Sequence, residues 1–305
     1  MRKVRVNEGY ELYQIITDFG DPLEIFREGI QNSFDENASE IYIKVYEQRK
    51  IGGSSLIIDI IDNGNGLLKK SISSFFDVAN SSKITADFVP NGKHGYKGHG
   101  AKVFFNADSV HICSKTKDGE YWAVKLENPI EQIAENHQLF YSDFMEPSDL
   151  NISLPSDWAS GFCVRIIAPS YFGTQYTRFK LNHIYLRDYC MWYSIIGTVE
   201  TKYNERLKNK DIKFFLSGLL KENFRDKYKD LSDCDPVPKF VDTKLGNFEE
   251  IPFGHYFPEE RITDTAMKKY AKKIGSNKAS YMFYSKMVFN ETITTGSLSF
   301  RLIIS

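Results

Sequence analysis

Long apolar runs are missing from this chain. No stretch is both long and apolar enough to cross a bilayer, and the opening MRKVRVNEGYELYQ lacks the apolar centre of a signal peptide. Paired cysteines are missing as well. Cys113, Cys163, Cys190 and Cys234 lie far apart and form no C-x-x-C, which argues against a disulfide framework or a zinc site and for a reducing compartment. Nor does one sign of charge dominate. The formal net charge is −1, so no global charge advertises a nucleic acid or an acidic membrane. Residues 201–305 tilt mildly basic, with 19 Lys and Arg against 14 Asp and Glu. There is no internal repeat and no low-complexity tract. The expectation is a soluble cytoplasmic protein with no membrane partner.

What is present is ordinary globular material, 42% hydrophobic and 14% aromatic, in 305 residues. That length exceeds the usual single domain, so two domains are predicted, 1–170 and 171–305. In DPLEIFREGIQNSFDEN, Leu23, Phe26, Ile30 and Phe34 fall on one helical stripe, with Asp21-Pro22 as the cap and first-turn pair. EIYIKVYEQ and SSLIIDIID read as strands joined by a turn at Gly52-Gly53. SVHICSKT and YWAVKLEN read as a hairpin, and SGFCVRIIAPS as a further strand. GHGAKVFFNAD begins glycine-rich and turns helical. These elements predict an α+β sandwich, a mostly antiparallel sheet with helices on one face. Beyond Tyr171, RFKLNHIYLRDYCMWYSIIGTV reads as one long amphipathic helix, and DIKFFLSGLL and the terminal SLSFRLIIS as strands of a mixed α/β unit. An apolar last strand is either buried or continued past Ser305.

Three polar clusters carry the chemistry. Glu28, Asn32 and Asp35 lie within roughly 60° of one another on the face opposite the apolar stripe. Alone, that pattern suits a solvated face as well as a ligand wall, where a carboxylate takes a proton from water and an amide oxygen meets a hard cation. IIDNGNG brings Asp62 out of a buried strand into a tight turn with Gly64 and Gly66. This suits a plain hairpin turn, or a carboxylate that accepts from an amine beside a flat ring. GKHGYKGHGAK places Gly92, Gly95, Gly98 and Gly100 ahead of a helix start, either as a flexible loop or as an anion cradle. It is neither a P-loop nor a dinucleotide fingerprint. His94 and His99, His255, and the basic face of Lys268, Lys269, Lys272 and Lys273 have bland readings in loops, packing and solvent.

In this order, Glu28-x-x-x-Asn32, Asp62-x-Gly64-x-Gly66 and Gly95-x-x-Gly98-x-Gly100 resemble the ATP motifs of the GHKL superfamily. Its members include the DNA gyrase B subunit, the ninety-kilodalton heat-shock chaperone, sensor histidine kinases, MutL and MORC. NSSKIT, residues 80–85, is similar to the lid motif of MutL, and GYKGHGAK and YLRDYC to MORC. The likeness covers about residues 20–170. It implies a Bergerat-type sandwich followed by a transducer-like unit, and an ATPase. It also implies roles: Glu28 activating water, Asn32 holding Mg²⁺, and Asp62 accepting the adenine amine. Asp35, Gly64 and Gly66 would line the nucleotide, with Gly66 letting the base lie close. Gly95, Gly98 and Gly100 would wrap the phosphates, with Lys83 and Lys102 contacting them and Lys239 or Lys244 as a transducer lysine. One departure stands out: many members of the superfamily carry Gly-Thr at the start of the late strand, the site that corresponds to Gly161-Phe162 here. The implied behaviour is an ATP-driven conformational switch that forms a homodimer, with DNA as a further partner. The alternatives are an ATP-sensing scaffold without turnover and a chaperone-like client binder. Glu28 favours turnover, because a pure sensor has no need of a base.

Overall fold

The computed structural model describes residues 8–17, 19–51, 53–76, 100–196, 212–220 and 238–252. Two helices open it, α1 (Glu8–Thr17) and α2 (Glu24–Asp35), followed by β1 (Glu40–Lys50), β2 (Gly53–Asp62) and a short α3 (Ser73–Phe76). A 3₁₀ turn, Gly100–Phe105, leads into β3 (Ala107–Lys115), β4 (Tyr121–Glu127), α4 (Pro129–Asn136) and β5 (Gly161–Pro169). Then come α5 (Gln175–Phe179), α6 (His183–Tyr193), β6 (Lys213–Ser217), β7 (Phe240–Thr243) and β8 (Gly246–Pro252).

The strands form a single open sheet in the order β4-β3-β5-β2-β1-β6-β8-β7. Every pairing is antiparallel except β1 with β6. Strand alternation divides the side chains between two faces. On one face the helices bury Leu23 at the cap and Phe26, Ile30 and Phe34 of α2 in one core with Ile43, Ile58 and Ile60. Each such side chain contributes about 1.5–3 kcal/mol. The packing is close at Gly29, where a Cβ would stand 2.6 Å from Ile60 Cδ1. The other face carries a smaller cluster of Tyr42, Ile61, Cys163, Phe215 and Phe248, covered by Leu150, Trp158 and Leu245. Fold class is therefore the expected mixed α/β sandwich.

Local readings differ from the structure in three places. Asp21 does cap the entry to α2, its Oδ1 accepting from the Leu23 N–H at 3.1 Å, but Leu23 rather than Asp21 takes the N-cap position. The glycine-rich segment enters a 3₁₀ turn instead of an α-helix. The long helix expected after residue 177 is broken at Lys180–Asn182, because Asn182 takes extended backbone and caps α6 by accepting from the Tyr185 N–H at 2.9 Å. The break lets His183 enter the core. Its Nδ1 accepts from the Gly218 N–H at 3.1 Å, its Nε2 meets Glu249 Oε2 at 2.9 Å, and Arg187 reaches Glu249 Oε1 at 3.2 Å. This cluster ties α6 to β6 and β8. The expected terminal strand lies outside the described residues, and among those residues no helix is long and apolar enough to cross a membrane.

Candidate active site

Asp62 is the last residue of β2 and points to the helical face, where Ser33 of α2 awaits it. The Ser33 hydroxyl donates to Asp62 Oδ2 at 2.8 Å. Asp62 Oδ1 accepts from the Gly64 N–H at 2.8 Å and from the Phe162 N–H at 3.2 Å. Burial pushes this carboxyl up to about 6, against the pull of those three hydrogen bonds. A carboxylate offers about four acceptor directions, so one remains on Oδ2 for a donor outside these three. The glycines of the motif are sterically required. A Cβ at Gly64 would meet the Glu36 carbonyl at 2.7 Å, and Gly66 has φ +71° with the Lys115 carbonyl 2.2 Å from where its Cβ would be. Asn63, between them, accepts from the backbone N–H groups of Ser39 and Glu40 at 2.8 Å each and pins the turn to the start of β1. From the far side the Trp158 indole N–H donates to the Asp62 carbonyl at 2.7 Å, and the Ser160 hydroxyl to the Gly64 carbonyl at 2.8 Å.

Five residues back along α2, about 7.5 Å of helical rise, sits the second carboxylate. Glu28 is buried. Arg27 bridges it to Glu24, at 2.8 Å from Glu28 Oε1 and 3.0 Å from Glu24 Oε2. Glu28 Oε2 lies against the end of the glycine segment, so close that a Cβ at Gly100 would stand 2.0 Å from it. Asn32 is half-buried on the same helix, one residue before Ser33. Asp35 is buried and accepts from Gln31 Nε2 at 3.2 Å. Lys102 is buried too, its ammonium donating to the Phe75 carbonyl at 2.6 Å.

The structure thus gathers Asp62, Gly64 and Gly66 at one end of α2 and Glu28 and Gly100 at the other, with Asn32 between. Lys83, Gly95 and Gly98 lie outside the described residues. Lys244 pairs with Asp157 on the opposite face of the sheet, in the wall of a cavity of about 250 Å³ that Trp158 also lines. Sequence reasoning missed Ser33, Trp158 and Ser160. Ser33 had a signal, a polar residue at the edge of the apolar stripe, about 20° from Phe26 on the helical wheel. Phe162 contributes its main-chain N–H to Asp62, which any residue but proline supplies, while its ring packs on Phe75 at 5.4 Å.

Comparison with known proteins agrees with this geometry. The family model for histidine kinase-, DNA gyrase B-, and HSP90-like ATPases matches residues 24–148. The DNA mismatch repair protein MutL of Borreliella afzelii (strain PKo) is 22% identical over 226 residues, covering 70% of this chain and 36% of that protein. MutL of Clostridium beijerinckii is 34% identical over 96 residues, covering 31% of this chain and 14% of the relative. The chain spans about a third or less of the length of these relatives. The matched segment contains both carboxylates, their glycines and Ser33, so the part of this chain that is similar to the histidine kinase-, DNA gyrase B- and HSP90-like ATPases is the part that builds the site.

Proposed function

We propose that this chain binds Mg²⁺–ATP and hydrolyses it, with Asp62 reading the base and Glu28 serving as the general base. The observation that supports this best is the placement of two buried carboxylates on one helix-lined wall, one with a single open acceptor direction and the other against Gly100. The open direction of Asp62 suits the exocyclic amine of adenine. Glu28, steadied by Arg27, is set to take a proton from water at the glycine end. The donor set fits Mg²⁺: Asn32 offers a neutral amide oxygen beside Glu28, and this hard cation takes most of its other ligands from water and phosphate oxygens. When bound, Mg²⁺ supplies positive charge that screens the phosphates. Asn32 holds and orients; Glu28 moves the proton; Asp62 fixes the base. Lys83, Gly95 and Gly98 remain assigned to the phosphates, as does Lys102 if it leaves Phe75.

Glu28→Ala tests this reading. It should retain ATP affinity by calorimetry while phosphate release falls roughly 10²–10⁴-fold. Turnover equal to the parent's would remove Glu28 as the base.

The same reading extends to a switch, with the part after residue 170 acting as a transducer-like unit in the cytoplasm. The relatives named for DNA mismatch repair and the basic tilt of residues 201–305 support DNA as a partner of an ATP-dependent homodimer. Light scattering with and without a non-hydrolysable ATP analogue tests the dimer. DNA affinity that falls steeply with salt in the analogue-bound state tests the partner, and no binding at low salt would count against it.

A further inference from the structure

We propose that Trp158 and Ser160 are positioning residues for the nucleotide base, acting through the backbone of the Asp62 turn. The inference rests on the nucleotide reading of Asp62. Pairing between β2 and β5 ends at Ile61 with Cys163. Past that point the two strands stay close: Gly161 has φ +145°, and a Cβ on it would stand 2.0 Å from the Asp62 carbonyl and 2.7 Å from Trp158 Nε1. The polypeptide just before β5 therefore lies directly behind the turn. Its side chains take over where the strand ladder stops, Trp158 on the carbonyl of Asp62 and Ser160 on the carbonyl of Gly64. Between those two carbonyls lies the Gly64 N–H, one of the three donors that hold the Asp62 side chain.

The clasp is itself anchored. The Trp158 main-chain N–H closes a turn onto the Pro155 carbonyl at 3.0 Å, and its main-chain carbonyl accepts from Lys115 Nζ at 2.8 Å. The indole packs edge-on to Tyr121 at 6.3 Å and is buried. Trp158 borders the cavity of about 250 Å³ on the far face, whereas the Asp62 carboxylate faces the helices. Neither Trp158 nor Ser160 belongs to the acceptor set that meets the base. Their effect is to fix the direction of the one open lone pair on Asp62 Oδ2. In Trp158→Phe the ring remains and the N–H is lost, and water from the adjoining cavity can reach the carbonyl without holding its direction.

The experiment measures binding of ATP, adenosine and Mg²⁺–tripolyphosphate to the full chain by calorimetry, beside kcat and melting temperature. Trp158→Phe should weaken ATP and adenosine alike by about tenfold, the loss of one well-made hydrogen bond, with tripolyphosphate affinity and kcat at saturation unchanged. Ser160→Ala should shift ATP and adenosine in the same direction. A folded Trp158→Phe that binds adenosine as the parent does overturns the proposal. So does equal weakening of tripolyphosphate, which marks a merely structural role. If Trp158→Phe does not fold, parental adenosine affinity in Ser160→Ala overturns it. A parent chain that binds no ATP at all sinks the nucleotide reading first, a result distinct from these.

Discussion

Replacing Asp62 by asparagine should destroy nucleotide binding and make the empty protein more stable. Burial raises the Asp62 carboxyl from 3.8 to about 6. The sign follows from linkage: the group's favourable contribution is complete below 3.8, where both folded and unfolded chains hold the proton, and is lost as pH rises through about 6. At neutral pH the folded chain carries an ionised carboxylate that burial disfavours. At 1.36 kcal/mol per pH unit, that costs about 3 kcal/mol. An amide of the same shape removes the charge and keeps the contacts. Its oxygen can accept from the N–H groups of Gly64 and Phe162, and its NH₂ can donate to the Ser33 hydroxyl. The two main-chain donors fix which way round it sits, so the NH₂ occupies the direction left for the base and opposes the amine of adenine. Two unpaired donors there should weaken ATP by about 1–3 kcal/mol or more. Thermal melting at pH 7.5 and pH 5, beside ATP calorimetry, checks both halves. The gain in stability should be about 3 kcal/mol at pH 7.5 and roughly half that at pH 5. A variant no more stable than the parent at pH 7.5 refutes the burial argument. Parental ATP affinity refutes the placement of the base.

Three further outcomes follow from the same geometry. ATP affinity of the parent should fall as pH drops below about 6, approaching tenfold per pH unit as the Asp62 carboxylate takes up its proton, and a flat profile between pH 7 and 5 would contradict this. Gly100→Ala inserts a methyl group 2.0 Å from Glu28 Oε2, so the carboxylate must move; phosphate release should fall at least about tenfold with adenosine affinity retained, and unaltered turnover would show that its position is not critical. His183→Ala leaves Glu249 Oε2 and the Gly218 N–H without their partner in the interior, with Arg187 still on Glu249 Oε1, which should cost about 2–4 kcal/mol in denaturant unfolding while a folded fraction still binds ATP.

Much of the first half was legible because its signals are local. The stripe of α2, the alternation of β1 and the emergence of Asp62 into glycines are each written within about a dozen residues. What was hidden depends on chain-distant neighbours. Trp158 and Ser160 lie 96 residues from the atoms they hold, and neither has a pattern of its own. The parallel pairing of β1 with β6 leaves no trace in either strand's periodicity. The helix after residue 177 was misread for a local reason: an apolar stripe runs on through Lys180–Asn182, and the competing preference of Asn182 for a cap decided the outcome. Phe162 shows the converse, a residue whose type the expected motif does not contain while its contact to Asp62 is made by the main chain.

The unbroken sheet limits how this molecule can convert a chemical event into movement. β6, β7 and β8 are hydrogen-bonded onto β1, which is itself hydrogen-bonded to the strand that ends at Asp62. A hinge between them would have to shear at least one row of main-chain bonds. Twisting the sheet changes the angle between its distant edges by a small increment at every strand while keeping each bond. Across the five strands from β2 to β7 such increments add, so a torsion of a few degrees per strand at the Asp62 end of β2 reaches the β7 edge as a swing several times larger.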